Sequence, residues 1–249
     1  MMMTQLQVRD RLILALDVPS AEAGIRLVEK IGETVSFVKV GLELFTAAGP
    51  EFVHRLRQQG KRVFLDLKFL DIEETVRRAT AQVAMMGVDF LTVHANRKAL
   101  TAAVRGRSQV PNSALKILAV TVLTNYDSQD LREMGIQHSV AELVTARAAL
   151  AAEVGCEGVV ASGEEPQAIR QRVGEQLVIV TPGIRPEGVE TGDHARATTP
   201  AQAIAAGSDY LVVGRPIRDA SDPRAAAEAI LGEMQRAFDA RAARKGAEC

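Results

Sequence analysis

Tryptophan is absent from this chain, tyrosine occurs twice and phenylalanine seven times, so aromatic side chains make up only 4% of its 249 residues. A surface that stacks nucleic-acid bases needs clustered aromatics beside a basic stripe. Neither is present: 30 Lys and Arg stand against 31 Asp and Glu, a formal net charge of −1. Nucleic acid is therefore not the expected partner, and a small molecule is. Cysteine is equally scarce. Cys156 lies in an apolar run and Cys249 at the C-terminus, with no metal-ligand spacing near either, which fits a reducing cytosol. No apolar stretch approaches the roughly 18 to 20 residues of a membrane span, and "MMMTQLQVRDR" lacks the apolar centre of a signal peptide. The expectation is a soluble cytoplasmic protein with no membrane partner.

What the chain does have is alternation. With 47% hydrophobic residues it can bury a large core, as one α/β barrel or as two ordinary domains. Short runs rich in β-branched residues recur at 11–18, 35–42, 61–68, 88–95, 115–123, 157–162, 176–183 and 209–216. Segments with helical periodicity lie between them, among them "SAEAGIRLVEKI", "PEFVHRLRQQ", "EETVRRATAQVAMM", "SVAELVTARAALAAEV" and "TPAQAIAA". Gly60, Gly87, Gly155, Gly174 and Gly207 stand where helices should end before the next strand. Eight strand–helix units with no linker or composition shift predict an α/β fold, a single (β/α)8 TIM barrel over residues 1–249. Residues 1–10 read as an N-terminal extension and 240–249 as a frayed tail. A doubly wound sheet is the alternative on pattern alone.

In such a barrel, catalytic groups gather where strands end, and side chains two apart share a face. Asp17 ends the first strand on the face of Ile13 and Ala15, Lys39 sits on the second with Phe37 and Gly41, and Asp66 and Lys68 share a face of the third. Four charges thus converge on one mouth, and Asp71 follows just beyond. A structural salt-bridge network is the plain alternative, because buried charges must be paired. Placement at the strand C-termini favours function. A lysine held between carboxylates stays protonated and serves as a proton donor rather than as a Schiff-base nucleophile. Loops after strands 7 and 8 of barrels commonly bind phosphate. Here they carry "TPGIRP" with Gly183 and Arg185, and "VGRP" with Gly214 and Arg215. Glycine admits the anion to backbone N–H groups and guanidinium grips it with forked bonds. The long polar segment "IRPEGVETGDHARATTP" reads as a lid.

Taken in order, "LALDV", "FVKVGLELF", "DLKFLDI", "TVLT", "TPGIRP" and "VVGRPI" resemble the orotidine 5′-phosphate decarboxylase family over nearly the whole chain. The resemblance implies a cofactor-free carboxy-lyase that makes UMP in pyrimidine synthesis. It implies that Lys68 protonates C6 of the pyrimidine, that Asp66 faces the departing carboxylate, and that Asp17 and Lys39 bind ribose and complete the charge network. It implies a homodimer in which Asp71 and Thr75 reach into the neighbouring active site, Asp71 holding Lys68 there. Thr124 falls where the family contacts the base, and Arg185, Gly214 and Arg215 fall at the phosphate. No metal, flavin or pyridoxal is implied. Metal-dependent sugar-phosphate decarboxylases and aldolases of the superfamily share D-x-K-x-x-D, but they resemble one another in carrying Glu where this chain has Lys39. A lysine cannot ligate Mg²⁺ as a carboxylate would. A non-catalytic nucleotide-binding barrel is the third reading.

Two departures from the family pattern stand out. Glu73 and Glu74 replace a Pro-Asn pair, which suits the first turn of a helix or else weakens the grip on a dianionic ligand. His194 stands where the family usually has Gln bridging phosphate and pyrimidine, which puts that contact in doubt. Of the other histidines, His94 ends the fourth strand on the interior face and is either packed or near the ligand, whereas His54 and His138 read as surface residues.

Overall fold

Runs such as "LILA" and "YLVV" are apolar on both faces, which suits strands covered outside by helices and inside by one another. The computed structural model describes residues 7–186 and 198–247. It forms a closed barrel of eight parallel strands in sequence order, with β8 returning to β1. The strands are β1 (Leu12–Ala15), β2 (Phe37–Gly41), β3 (Arg62–Phe69), β4 (Phe90–His94), β5 (Lys116–Val120), β6 (Gly158–Val160), β7 (Val178–Thr181) and β8 (Tyr210–Val213). Apart from Phe69 at the end of β3, every strand falls inside the run that predicted it. The doubly wound alternative is excluded by this closure.

The helices are α1 (Ala21–Ile31), α2 (Leu42–Gln58), α3 (Glu73–Met85), α4 (Arg97–Ser108), α5 (Ser128–Glu133), α6 (Val140–Glu153), α7 (Pro166–Val173), α8 (Pro200–Ala206), α9 (Arg215–Arg218) and α10 (Pro223–Ala247). The five glycines expected to end helices all adopt positive φ, between +61° and +121°. The helix predicted from Pro50 is the second half of α2, broken at Gly49, whose φ of +64° interrupts the helical course. The tail expected to fray from residue 240 continues helically in α10 as far as Ala247. None of the described helices is long and apolar enough to cross a membrane.

Two apolar layers result. One lies between the strands and the helices. The other fills the barrel with Ile13, Ala15, Phe37, Phe64, Phe90, Leu118, Val180, Tyr210 and Val212. In that plug Phe37, Phe64 and Tyr210 meet Phe90 edge-to-face at centroid distances of 5.0, 5.8 and 5.2 Å, the arrangement favoured by ring quadrupoles. The period of two then sets the next layer upward. Ala15 is followed by Asp17, Phe37 by Lys39, Phe64 by Asp66 and Phe90 by Thr92. The charged layer therefore rests on a water-excluding floor.

The opposite rim has an ion-pair system of its own, which the sequence reading did not anticipate. Asp89, Glu157 and Asp209 immediately precede β4, β6 and β8. Each accepts a backbone N–H from the preceding strand, at Val63, Ile117 and Ile179 respectively. Their guanidinium partners are Arg62 for Asp89, Arg107 for Glu157 and Arg170 for Asp209. Half-buried carboxylates satisfied in this way pin β4 to β3, β6 to β5 and β8 to β7.

Candidate active site

The four charges at the mouth form a row of alternating sign. Lys39 Nζ lies 3.0 Å from Asp17 Oδ1 and 3.4 Å from Asp66 Oδ2, and Lys68 Nζ donates to Asp66 Oδ1 at 2.8 Å. Gly41 leaves room for the first pair, because a Cβ there would stand 3.2 Å from Lys39 Nζ and 3.3 Å from Asp17 Oδ1. Burial opposes the charge on Lys39, but Asp66 and Asp17 outweigh it and raise its pKa above the ordinary lysine value. Burial likewise opposes ionisation of Asp66; Lys39 and Lys68 outweigh it, helped by hydrogen bonds from Lys68 and Thr92, and its pKa falls below the carboxylate range. Both groups are therefore held in their charged forms.

β3 does not keep the regular pleat assumed from its sequence. Leu65 pairs with Leu91 and Phe69 with Val93, so four residues of β3 advance against two of β4. Within this bulge Lys68 takes a φ of +49°, a left-handed conformation uncommon for a residue with a Cβ. Bulges re-aim side chains beside active sites. Lys68 and Asp66 do share the mouth, but through this distortion rather than through simple alternation.

The row lines a cavity of about 470 Å³. Phe64, Val120, Val160 and Val212 give it apolar surface, and Thr124, Gly183, Arg185, Gly214 and Arg215 also line it. Gly183 has φ +78°, a conformation glycine adopts without strain. Arg185 is buried and donates to the carbonyl of Ile184 at 2.7 Å. One volume thus holds an ammonium–carboxylate row and two arginines beside glycines, enough for a small molecule with one labile acidic end and one strongly anionic end.

Not every predicted residue joins this cavity. Asp71 is exposed, and its carboxylate accepts from the N–H of Ile72 at 2.6 Å, so within one chain it does not meet Lys68. Within one chain, the lysine between two carboxylates is Lys39. Thr75 is exposed on α3. His194 and most of the segment read as a lid lie outside the described residues; the flanks of that segment join where Ile184 pairs with Thr198. His94 is half-buried and does not line the cavity. Burial, with the charges of Lys68 and Arg147, lowers its pKa. His54 and His138 are exposed. Glu73 and Glu74 occupy the first turn of α3, where Glu74 pairs with Arg77 and Glu73 lies 3.9 Å from Lys98.

Two further residues contribute. Arg218 lines the cavity and donates to the carbonyl oxygen of Asp17 at 2.7 Å, its fork fixed on Asp219 at 2.6 and 2.8 Å. Its sequence signal was the spacing of three from Arg215, which puts both on one side of a helical turn. Thr92 donates to Asp66 Oδ1 at 2.9 Å; its signal was the step of two beyond Phe90.

Comparison with known proteins agrees with this geometry. The profile of the "Orotidine 5'-phosphate decarboxylase / HUMPS family" matches residues 10–230. The orotidine 5'-phosphate decarboxylase of Methylobacterium sp. (strain 4-46) is 50% identical over 229 residues, covering 92% of this chain and 97% of that protein. That of Methylorubrum extorquens (strain PA1) is 52% identical over 227 residues, covering 91% and 96%. The crystal structure of orotidine 5'-phosphate decarboxylase from Lactobacillus acidophilus superposes with a TM-score of 0.81 at 39% identity, over 90% of this chain and 99% of that one. With a family profile spanning the barrel, half the residues shared with full-length relatives and an alternating charged row at the mouth, this chain belongs to the orotidine 5'-phosphate decarboxylase family.

Proposed function

We propose that this chain converts orotidine 5′-phosphate to UMP and CO₂ without a cofactor. The observation that carries the reading is the Lys68 ammonium, 2.8 Å from Asp66 in a cavity whose lining also includes Arg185 and Arg215. The C6–carboxylate bond breaks, CO₂ leaves, and its electron pair stays on C6 as a vinyl carbanion. Lys68 stabilises that anion and gives it a proton, then regains one from solvent. Asp66 faces the substrate carboxylate. Two like charges about 4 Å apart repel by roughly 4 kcal/mol at an effective dielectric near 20, a modest share of the barrier. More comes from a cation aimed at charge that exists only as the bond breaks, and from binding energy at the distant phosphate. Asp17 and Lys39 hold ribose hydroxyls, Thr124 the base, and Gly214, Arg185 and Arg215 the phosphate.

The metal-dependent reading is disfavoured by Lys39. Its ammonium occupies the space between Asp17 and Asp66 and repels a divalent cation there. Incubation with orotidine 5′-phosphate and EDTA, followed by ultraviolet absorbance, tests the assignment. Loss of substrate absorbance supports it; UMP binding without turnover would indicate a binding barrel, and Mg²⁺-dependent activity on sugar phosphates the metal enzyme.

The finer reading is a cytoplasmic homodimer with shared sites. Asp71 is flanked by Leu70 and Ile72, which are 60% and 73% exposed, an apolar pair suited to burial against a second copy. Thr75 lies one turn away on α3. If the sites are shared, mixing Lys68→Ala with Asp71→Ala protein regenerates one intact site per hybrid dimer and restores activity. A mixture as inactive as its components refutes the sharing.

A further inference from the structure

Thr92 combines full burial with two hydrogen bonds that meet the catalytic bulge from below. Its side chain is 0% exposed. Its Oγ1 accepts the backbone N–H of Lys68 at 3.0 Å and donates its single proton to Asp66 Oδ1 at 2.9 Å. The same Oδ1 receives the Lys68 ammonium at 2.8 Å. Through one oxygen, the backbone of Lys68 and the carboxylate that holds its side chain are tied together.

The bulge explains why a hydroxyl is needed here. Between the Leu65–Leu91 and Phe69–Val93 pairs β3 carries two residues more than β4, so Lys68, at φ +49°, lies outside the regular ladder. A buried N–H without an acceptor is strongly disfavoured. Threonine supplies the acceptor that the β4 backbone does not, and its remaining hydrogen is directed at an ionised carboxylate. A valine of the same shape would leave the Lys68 N–H unpaired and remove one donor from Asp66.

Resting on the decarboxylase reading, we propose that Thr92 is a positioning residue for that reaction: its hydroxyl locks Lys68 and Asp66 into the relative geometry from which the ammonium reaches C6. Thr92 touches neither substrate nor reacting atoms; it acts through the two groups that do. Because no phosphate-end residue is involved, its removal should act on kcat more than on KM.

The test compares wild type, Thr92→Val and Thr92→Ser in steady-state decarboxylation of orotidine 5′-phosphate, with melting temperatures alongside. Thr92→Val should lower kcat by about 10- to 100-fold, the scale of a misplaced reacting group, with KM changing by less than about threefold. Thr92→Ser keeps the hydroxyl and should restore most of that rate. With one donor to the charged form of Asp66 gone, the acid limb of the kcat profile should move to higher pH in Thr92→Val, which loss of packing alone would not do. If Thr92→Val does not fold, Thr92→Ala against Thr92→Ser makes the same comparison. Retention of the wild-type kcat in Thr92→Val, or an equal loss in Thr92→Ser, overturns the role. An inactive wild-type protein overturns the decarboxylase reading itself and this role with it.

Discussion

Replacing Lys39 with methionine removes one charge from the middle of the row while keeping the length of the side chain. Over the 3.4 Å that separates Lys39 Nζ from Asp66 Oδ2, unit charges attract by about 5 kcal/mol at an effective dielectric near 20, before desolvation is subtracted. The Asp17 contact counts for less, because the Asp17 side chain is 47% exposed and water screens it. Deleting one member of a buried pair costs about 3–5 kcal/mol, since the other charge is stranded. Asp66 keeps Lys68 and Thr92 as donors, so the lower end, about 3 kcal/mol, applies. For a chain of this size that corresponds to a fall in Tm of about 6–12 °C. The effect has a pH signature. Asp66 has a depressed folded pKa, so its contribution is present above the unfolded value near ~4 and is lost as pH falls through the folded value. Lys39 has a raised folded pKa, so its contribution is present below the unfolded value near ~10.4 and is lost as pH rises through the folded value. The deficit of Lys39→Met is therefore full between about pH 4 and 10 and closes on strong acidification. Thermal melts of both proteins at neutral pH and across the acid range measure it. A Tm gap below about 2 °C at neutral pH, or one that stays constant as Asp66 is protonated, would falsify the ion-pair account and leave only packing.

Four other exchanges probe separate parts of the site. Lys68→Ala removes the proton donor and should cut kcat by about 10³-fold or more while UMP still binds; turnover within tenfold of wild type would take Lys68 out of the chemistry. Arg215→Ala deletes a charge-assisted contact of about 1.5–3 kcal/mol, so KM should rise about 10- to 100-fold, and an unchanged KM in initial-rate measurements would move the phosphate elsewhere. Arg218→Ala frees the Asp17 carbonyl it holds at 2.7 Å and should raise KM about 3- to 10-fold without lowering Tm; equal kinetics would make it a surface arginine paired with Asp219 alone. His194→Gln, which restores the family's usual residue, should lower KM for orotidine 5′-phosphate, whereas a rise or no change would mean that its segment is adapted to histidine.

Local pattern alone determined the eight strand–helix units and the height of the charged layer; closure into a barrel rather than a doubly wound sheet was decided by the tertiary structure. The period of two that puts Phe37 and Phe64 inside also puts Lys39 and Asp66 there one step higher, and this is a property of any extended strand whatever its neighbours. The helix-ending glycines and the arginines after β7 and β8 were legible for the same reason, since each signal lies within a few residues of chain. Other features depended on segments that meet only in the folded chain. The two-residue bulge arises from the mismatch between β3 and β4, and Thr92 meets Asp66 and Lys68, 26 and 24 residues away, because β4 pairs beside β3. Arg218 reaches the Asp17 carbonyl across 201 residues, because β8 returns beside β1. Asp89, Glu157 and Asp209 are unremarkable acids in the sequence until each meets the N–H of the preceding strand. Alternation along a strand is set by backbone geometry, but register, bulges and hydrogen-bond partners are set by what lies alongside, and that neighbour is chosen by strand pairing and, for β8 and β1, by closure of the barrel.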